Sequence, residues 1–350
     1  MASPDSRGGK ANKPNVIPPR VANDIRILFG ASANLAIVHD RGLSEATVYR
    51  IESLSSRYAM KRWPASTHRE RLSEIHAFQE HLAGCDVPLV PGIVKWSNGD
   101  TLLEAEGVWW EISEWKPGAP LDRLGEINED QLLQCADALA MFHRRSESRE
   151  AATLCAPGLQ QRADGMRSAM RMEGEPRRRF LASISMRNGA SDARLLEDLH
   201  ARAMDVIPGT VELLQSLSQA RNRCFWILRD VWREHILFQD NRLSGVIDFG
   251  AARIDWPGLD LVRAFGTLML ESDPRWPAAV DRYLKRRPDA SITLARLQAV
   301  HRASVALSAL QWIDWFAEGR FDWTQGASRG WHRAMELRQQ LEDFGASPVR

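Results

Sequence analysis

The chain has 350 residues, of which 44% are hydrophobic and 26% charged, a balance typical of folded globular proteins rather than of disordered ones. Its 46 Lys and Arg residues nearly match its 45 Asp and Glu residues, and the net charge of +1 argues against nucleic acid as a main partner. The four cysteines form no CxxC pair, and no apolar stretch approaches the roughly 20 residues that span a bilayer, so we expect a cytoplasmic protein without a zinc site, a disulfide framework or a membrane partner.

The amino-terminal third has the pattern of a flexible tail followed by a small sheet. Residues 1–20 are rich in Pro, Gly, Ser, Asn and Lys, which predicts a disordered tail. Short runs of apolar, β-branched and aromatic residues predict strands, the first three of them antiparallel, at Leu35–Val38, Ala46–Ile51, Tyr58–Trp63, Leu89–Pro91 and Trp109–Ser113. Apolar residues at helical spacing predict one main helix over Arg69–Ala83. We therefore expect a small antiparallel-sheet lobe at residues 21–115.

The pattern turns helical after Lys116-Pro117-Gly118, a break that we interpret as a hinge. Asn128 predicts the start of a helix that runs through Phe142, because Gln131 stands three residues later, where it completes a capping box. Weaker helical patterns follow, and Leu294–Phe316 predicts a long amphipathic helix. Residues 116–350 should therefore form a larger, mostly helical lobe.

Two carboxylates in short polar loops are the strongest functional signal of the sequence. Asp230 lies in the run Ile227–Phe238 and Asp248 in the run Gly245–Gly250, and apolar strand-like residues flank both. This spacing lets both side chains project into one cleft, which suits phosphoryl transfer. The first carboxylate would accept a hydrogen bond from an acceptor hydroxyl, and the second would hold Mg²⁺ against nucleotide phosphates, because hard cations take oxygen ligands.

In these motifs the chain resembles the aminoglycoside phosphotransferase and choline kinase group of small-molecule kinases over most of residues 35–320. The motifs that carry the resemblance are Gly42–Arg50, Lys61 on its strand, Ala138–His143, the Asp230 to Asp248 block and Asp260-Leu261. The resemblance implies an α+β, bilobal protein-kinase-like fold with a nucleotide-binding amino-terminal lobe and a carboxy-terminal lobe for catalysis and acceptor binding. It also implies an ATP-dependent phosphotransferase that moves the γ-phosphate to a hydroxyl of a small molecule.

The resemblance assigns nucleotide contacts to the amino-terminal lobe. The turn Arg41–Ala46 looks like the nucleotide-positioning loop, in which the amide of Gly42 and the hydroxyl of Ser44 would face phosphate oxygens. Lys61 would pair with the α and β phosphates. Glu114 ends a segment that resembles the hinge strand, where backbone groups bind adenine.

The orienting partner of Lys61 should be a carboxylate on the following helix. Glu74 fits best, because it lies beside the apolar positions of that helix. Glu70 and Glu80 are the alternatives.

In the larger lobe the resemblance assigns the catalytic and metal-binding residues. Asp230 takes the place of the catalytic aspartate, which orients the acceptor hydroxyl and accepts its proton. Arg233 would contact the γ-phosphate, with a surface ion pair as the alternative. Asp248 matches the metal-binding aspartate, and Asp260 looks like the structural aspartate that braces the catalytic loop.

Two residues depart from the family's catalytic loop, HxDxxxxN: Leu228 stands at its first position and His235 at its last. The asparagine usual at the last position offers a metal a neutral amide oxygen, whereas imidazole offers a nitrogen, which suits Mg²⁺ poorly and Mn²⁺, Co²⁺ or Zn²⁺ better. His235 therefore either ligates a metal, or hydrogen-bonds Asp230 or a metal-bound water, or marks a site that has lost catalysis. In the last case the protein would be a nucleotide-binding pseudokinase that acts as a regulatory or interaction module.

The acceptor is the least determined part of the sequence prediction. An aromatic stripe marks the last part of the chain, at Trp312, Trp315, Phe316, Trp323 and Trp331. It suits either core packing or cation–π binding of a quaternary ammonium, and three nearby acids, Asp314, Glu318 and Asp322, suit a polycationic sugar. Amino sugars, choline-like amines and homoserine-like amino acids all remain candidates. A protein kinase is disfavoured, because no Ala-Pro-Glu anchor follows Asp248-Phe249-Gly250.

Overall fold

A computed structural model describes residues 17–39, 46–53, 56–85, 87–171, 190–317 and 329–346. The chain divides into two compact units. The amino-terminal unit contains the described residues up to Ala77 together with Gly92–Trp115, and the carboxy-terminal unit contains Phe78–Pro91 and the described residues from Lys116 onward. Within these described ranges, no helix is both long and apolar enough to cross a membrane.

The amino-terminal unit is built on an antiparallel sheet in the order β1-β2-β3-β6-β4, with β5 paired to β6. Its strands are β1 (Asn34–His39), β2 (Thr47–Ser53), β3 (Ser56–Arg62), β4 (Ile93–Val94), β5 (Leu103–Ala105) and β6 (Val108–Glu114). Its helices are α1 (Pro19–Phe29) and the part of α2 (Arg69–Gly84) that ends at Ala77. The three predicted antiparallel strands and the main helix are therefore confirmed.

One face of this sheet forms the core of the unit. Tyr49, Met60 and Ile112 are neighbours in the strand register and are buried together with Val21 and Ile25 of α1. The sequence did not predict α1, whose first two residues, 19 and 20, lie in the predicted tail. A proline at the first helical position and the four-residue spacing of its two buried apolar residues, Val21 and Ile25, are the signals that could have found it.

The prediction of a strand at Leu89–Pro91 is wrong. The N–H of Val90 donates to the carbonyl of Val87, which makes this segment a turn, and the next strand, β4, begins at Ile93. Prolines at positions 88 and 91 supply no N–H to a sheet, and the carbonyl of Pro91 instead accepts a 2.7 Å hydrogen bond from Gln79.

The carboxy-terminal unit is mostly helical, as predicted. Its helices beyond the end of α2 are α3 (Glu129–Arg149), α4 (Pro157–Arg171), α5 (Ala190–Gln219), α6 (Gly258–Leu268), α7 (Arg275–Arg286), α8 (Leu294–Ala317) and α9 (Arg329–Ala346). Its strands are β7 (Ala151–Cys155), β8 (Arg221–Ile227), β9 (Ile236–Gln239), β10 (Arg242–Val246) and β11 (Arg253–Asp255). The predicted capping box at the start of α3 is confirmed, since the Asn128 side chain accepts from the Gln131 amide and the Gln131 side chain from the Asn128 amide.

Two small antiparallel sheets of this unit carry the loops of the candidate site. Strands β11, β8 and β7 form one sheet, and β9 and β10 form a hairpin. The hairpin turns at Asp240 and Asn241, whose positive φ angles of 50° and 61° match the type I′ turns that suit the twist of two adjacent strands. The loop after β8 carries Asp230, and the loop after β10 carries Asp248.

Candidate active site

A buried carboxylate holds the loop that carries Asp230. Asp260 of α6 is fully buried and accepts hydrogen bonds from the backbone N–H of Leu228 at 2.8 Å and of Arg229 at 2.6 Å. Arg229 has a φ of 63°, a left-handed conformation that costs a non-glycine residue about 1 kcal/mol or more. The two hydrogen bonds hold the loop in this conformation, so the expected bracing role of Asp260 is confirmed.

His143, in the Ala138–His143 motif, extends this brace into the core. Its Nε2 lies 3.1 Å from Asp260 and its Nδ1 lies 2.8 Å from the Tyr283 hydroxyl. Burial lowers the pKa of His143, so the ring is neutral near neutral pH, with Nε2–H donating to Asp260 and the tyrosine hydroxyl donating to Nδ1. Leu228, where the family has histidine, contributes its backbone N–H to the same carboxylate, a contact that needs no particular side chain.

The Asp230 carboxylate is fixed by two residues that the sequence analysis did not single out. Its Oδ1 accepts hydrogen bonds from Arg263, at 3.1 Å from Nη2 and 3.3 Å from Nε, and from the indole Nε1 of Trp232. The Arg263 guanidinium also stacks 3.6 Å from the centroid of the Trp232 ring. In the part of the chain that the structure describes, all hydrogen bonds of this carboxylate fall on Oδ1, which leaves Oδ2 for a hydroxyl donor.

Arg263 lies three residues after Asp260 on α6, and this spacing is the signal that could have found it. Residues three apart on a helix share a face. Because Asp260 was expected to brace the catalytic loop, a side chain three residues later, Arg263, could be expected to contact the same loop.

His235 connects the Asp230 loop to the Asp248 loop. Its Nδ1 lies 2.7 Å from the backbone carbonyl of Asp230, and because a carbonyl only accepts, Nδ1 carries a proton. Its Nε2 lies 3.8 Å from Oδ2 of Asp248, too far for a direct hydrogen bond. The amide of Ile247 also donates to the carbonyl of His235 at 2.9 Å. The two predicted loops thus meet at this histidine.

The pair of His235 and Asp248 fits a divalent cation. In a neutral imidazole with Nδ1 protonated, Nε2 keeps a lone pair, and here it faces a carboxylate oxygen. Asp248 has a φ of 60°, and its Oδ1 accepts a 3.2 Å hydrogen bond from the Gly250 amide, which fixes the carboxylate. No group of three or more acidic, histidine or cysteine side chains among the described residues is arranged to hold a metal. A cation here would take its further ligands from water and from phosphate oxygens, as Mg²⁺ does with nucleotides.

The structure places Arg233 in a different setting from the predicted γ-phosphate contact. Its side chain is 9% exposed, and its guanidinium donates to the carbonyl of Thr267 at 3.0 Å and to Glu336 at 2.7 Å. These bonds tie the loop to α6 and α9. A role of Arg233 at the γ-phosphate stays a prediction.

Lys61 lies on β3, directly opposite Glu111 of β6. Its Nζ is 4.1 Å from the centroid of the Trp63 ring. Oε2 of Glu111 accepts a 2.7 Å hydrogen bond from the Trp63 indole and lies 2.8 Å from Nε2 of His76 on α2. Lys61 therefore shares one face of the sheet with a carboxylate that two ring side chains hold in place.

The other predicted residues of the amino-terminal unit lie apart from this cluster or outside the described residues. The side chain of Glu74 is 62% exposed and lies 3.6 Å from Arg71. The N–H of Glu114 donates to the Gly92 carbonyl at 2.8 Å, so it is not available for the predicted adenine contact. Gly42 and Ser44 lie outside the described residues. The convergence of Lys61 with Asp230 and Asp248 stays a prediction.

The aromatic stripe of α8 packs on itself. The rings of Trp312 and Trp315 are 5.4 Å apart, those of Trp312 and Phe316 are 5.9 Å apart, and Trp312 and Phe316 are only 6% and 5% exposed. This arrangement favours the core interpretation of the stripe. Trp323, Glu318 and Asp322 lie outside the described residues.

The sheet unit, the helical unit and the braced loops define a protein-kinase-like phosphotransferase fold. A family model described as the phosphotransferase enzyme family (APH) matches residues 37–300, and the chain belongs to that family. The predicted fold class and the stated resemblance are thereby confirmed.

Solved structures of small-molecule phosphotransferases share this fold at low sequence identity. An aminoglycoside phosphotransferase from Alicyclobacillus acidocaldarius is 15% identical with a TM-score of 0.61, and the match covers 97% of this chain and 96% of that one. Spectinomycin phosphotransferase, solved with ADP and spectinomycin, is 10% identical with a TM-score of 0.60 over 96% of each chain. A microcompartment-associated aminopropanol kinase is 18% identical with a TM-score of 0.56, covering 94% of this chain and 98% of that one. No curated protein sequence matches the chain significantly.

Proposed function

We propose that the protein transfers the γ-phosphate of ATP to a hydroxyl group of a small molecule. The observation that carries this proposal is the junction at His235, which brings the Asp230 and Asp248 loops together while Asp230 keeps one carboxylate oxygen available. Phosphoryl transfer needs a carboxylate oxygen to accept a hydrogen bond from the acceptor hydroxyl, and beside it two ligands suited to a metal cation. Asp230 would supply the first, and His235 and Asp248 the second.

In the proposed reaction Asp230 positions the acceptor. Arg263 and Trp232 fix its Oδ1, so that Oδ2 accepts a hydrogen bond from the acceptor hydroxyl. As the hydroxyl oxygen forms its bond to the γ-phosphorus, the bond to the leaving ADP oxygen breaks and the hydroxyl proton passes to the carboxylate.

The nucleotide would be held by Lys61 and by a cation on Asp248 and His235. Lys61 would place its ammonium against the α and β phosphates, with Gly42 and Ser44 nearby, as the family resemblance implies. Mg²⁺ or Mn²⁺ on Asp248 and His235 would neutralise phosphate charge. The imidazole ligand predicts faster turnover with Mn²⁺ than with Mg²⁺.

The test is ATP-dependent phosphate transfer to a panel of hydroxylated amines, amino sugars and amino acids, with each metal in turn. Asp230→Ala and Asp248→Ala should each lower kcat by at least about a hundredfold, the range of general-base and charge-stabilising losses. Asp281→Ala, which removes an exposed carboxylate of α7, is the matched control and should keep wild-type turnover.

The competing function is a nucleotide-binding pseudokinase, and the residues that favour it are Leu228 and His235. Leu228 is weak support for lost catalysis, because its backbone N–H donates to Asp260 and holds the loop whatever the side chain. Nucleotide binding with no phosphate transfer to any acceptor under either metal would support the pseudokinase and contradict the proposed enzyme.

A further inference from the structure

A cavity of about 860 Å³ adjoins the Asp230 loop within the carboxy-terminal unit. This volume is in the range of small-molecule sites, about 300–1,000 Å³. The residues that reach it from the loop and from α6 are Trp232, Arg233, Glu234 and Thr267, and those from α9 include His332, Arg333 and Glu336. His235 and Asp248, the residues on the proposed nucleotide side, do not line it. The cavity is therefore suited to the acceptor rather than to the nucleotide.

Trp232 lines this cavity and contacts Asp230, which does not line it. Its indole Nε1 donates to Asp230, and guanidinium carbons lie over its ring at 3.6 Å for Arg263 and 4.4 Å for Arg333. Two cations thus flank one indole beside the catalytic carboxylate. An acceptor whose hydroxyl extends past Trp232 toward Asp230 would leave the rest of its structure beside Arg333, which lines the cavity.

Arginines cluster at the end of the cavity beside Trp232. Arg233 and Arg333 share one carboxylate, Glu336, at 2.7 and 3.0 Å, while Arg263, outside the lining, pairs with Asp230. Two guanidiniums of the lining therefore divide one carboxylate between them, and Glu234 of the same loop is exposed. Burial lowers the pKa of Arg333 to about 10, as it does for Arg263, but both guanidiniums remain charged near neutral pH.

Arg333 also has hydrogen-bonding capacity left over. Its side chain is 10% exposed, and its buried Nε has no hydrogen-bond partner among the described residues. The donor within reach of a ligand is Nη2, because Nη1 donates to Glu336 at 3.0 Å while no described residue accepts a hydrogen bond from Nη2. Carboxylates and phosphates match the planar guanidinium best, because they accept two parallel hydrogen bonds.

The acidic residues that line the cavity leave few carboxylates available to bind a polycation. Glu336 is occupied by two arginines, and Glu342 is bonded to Arg338 at 3.0 Å and Arg202 at 3.3 Å. Asp122 and Glu234 are exposed carboxylates of the lining and are able to hold a single ammonium. The lining therefore suits an acceptor with at most limited positive charge.

We propose that the acceptor is a small hydroxyl compound that carries a carboxylate or phosphate group, and that Arg333 binds this anionic group. The inference rests on the proposed function, because it names the acceptor class of the same site. It narrows the three sequence candidates toward a hydroxy acid or an amino acid and away from polycationic amino sugars.

Matched acceptors test the inference with the full-length protein, ATP and Mg²⁺ or Mn²⁺. Homoserine is compared with its decarboxylated amine, glycerol phosphate with glycerol, and spectinomycin serves as a cationic acceptor. We expect kcat/KM at least about tenfold higher for the anionic member of one pair, since only that member forms charge-assisted hydrogen bonds with the guanidinium. A preference for homoserine over its decarboxylated amine would identify a carboxylate as the bound group, and a preference for glycerol phosphate over glycerol would identify a phosphate. Preference for the uncharged or cationic acceptor would overturn the inference.

Variants of Arg333 locate the effect. Arg333→Gln should raise the KM for the anionic acceptor by roughly tenfold or more, and Arg333→Lys by less, while the KM for ATP stays within about twofold. Arg286→Gln removes an exposed arginine of α7 whose carboxylate partner, Asp137, keeps its bonds to Arg282, and it is the matched control. Equal KM values for Arg333→Gln and the control would contradict the proposed contact.

Direct binding separates this inference from the proposed function. Isothermal titration calorimetry with homoserine or glycerol phosphate, without ATP, measures binding of the anionic compound in the absence of turnover. Binding that Arg333→Gln abolishes, with no phosphate transfer to any acceptor, would sustain the anion site and overturn the enzyme. Transfer that occurs only with uncharged acceptors would sustain the enzyme and overturn the anion site.

Discussion

Glu111 is the carboxylate that the strand register places opposite Lys61, whereas the sequence pointed to Glu74 on α2. Directly opposed residues of an antiparallel pair have Cβ atoms about 4.5–5.5 Å apart, within reach of a lysine ammonium. Trp63 and His76 hold the Glu111 carboxylate on that face, while Glu74 is 62% exposed beside Arg71.

We therefore expect Glu111→Gln to raise the KM for ATP by roughly three- to tenfold, and Glu74→Gln by less than about twofold, because an exposed ion pair contributes little. Steady-state kinetics with varied ATP measures both. Thermal unfolding of each variant separates a loss of Lys61 positioning from a loss of folding. The reverse order of the two effects would restore Glu74 as the orienting residue.

At the same scale, the sequence could predict Asp230, Asp248 and His235 as neighbours because they lie on consecutive loops of one strand-turn-strand segment. Local chain geometry alone brings such residues together. Arg263 and Glu111 could not be found in this way. Their contacts depend on which face of α6 meets the loop and on the register of β3 with β6, and both are set by the packing of the whole unit.

Helix α6 approaches α8 closely, and glycine is what permits it. A Cβ added at Gly266 would lie 2.5 Å from Nδ1 of His301, whose ring is buried between Trp276 and Phe344. The carbonyl of Gly266 also accepts a hydrogen bond from the side chain of Gln340 on α9. The position of α6 matters for function, because α6 carries Asp260 and Arg263, which hold the Asp230 loop.

Gly266→Ala should destabilise the protein by about 1–3 kcal/mol, the usual cost of overpacking, although alanine has the higher helix propensity. Gly209→Ala is the matched control, since Gly209 lies in α5, is exposed and has nothing within 4 Å of an added Cβ. That control should gain about 0.5–1 kcal/mol. Urea denaturation measures both variants, and equal stability changes would mean that α6 and α8 can move apart at no cost.

For the whole molecule, the sequence predicted the class of fold but not how its elements are held. The small sheet, the mostly helical carboxy-terminal unit and the break at Lys116-Pro117-Gly118 could be predicted from local hydrophobic periodicity and from the proline and glycine residues that interrupt it. Gly118 has a φ of 102° there, and a Cβ would meet the carbonyl of Phe238 at 2.6 Å. Buried polar pairs in the helical unit, such as His143 with Asp260, join residues far apart in the chain, and no local pattern reports them.

Buried histidines of the helical unit predict how stability depends on pH. Burial, together with the charges of Arg302 and Arg333, lowers the pKa of His301 to about 3, and burial also lowers the pKa of His143. The unfolded chain takes up a proton at each of these rings near pH 6.5, while the folded chain does not. Stability from these groups is therefore complete above pH 6.5 and falls as the pH decreases toward the folded pKa.

His301→Gln should flatten this dependence. Below pH 6.5 each such histidine costs about 1.4 kcal/mol per pH unit, so His301 alone accounts for about 2 kcal/mol between pH 6.5 and pH 5. Burial raises the pKa of Asp255 and of Glu271, which acts in the opposite sense, so the difference between variant and wild type is the informative quantity. Urea denaturation at pH 5 and pH 7 measures it, and His68→Gln, at an exposed site, controls for removing a histidine as such. A variant as sensitive to acid as the wild type would show that the His301 ring becomes protonated without leaving its place beside Gly266.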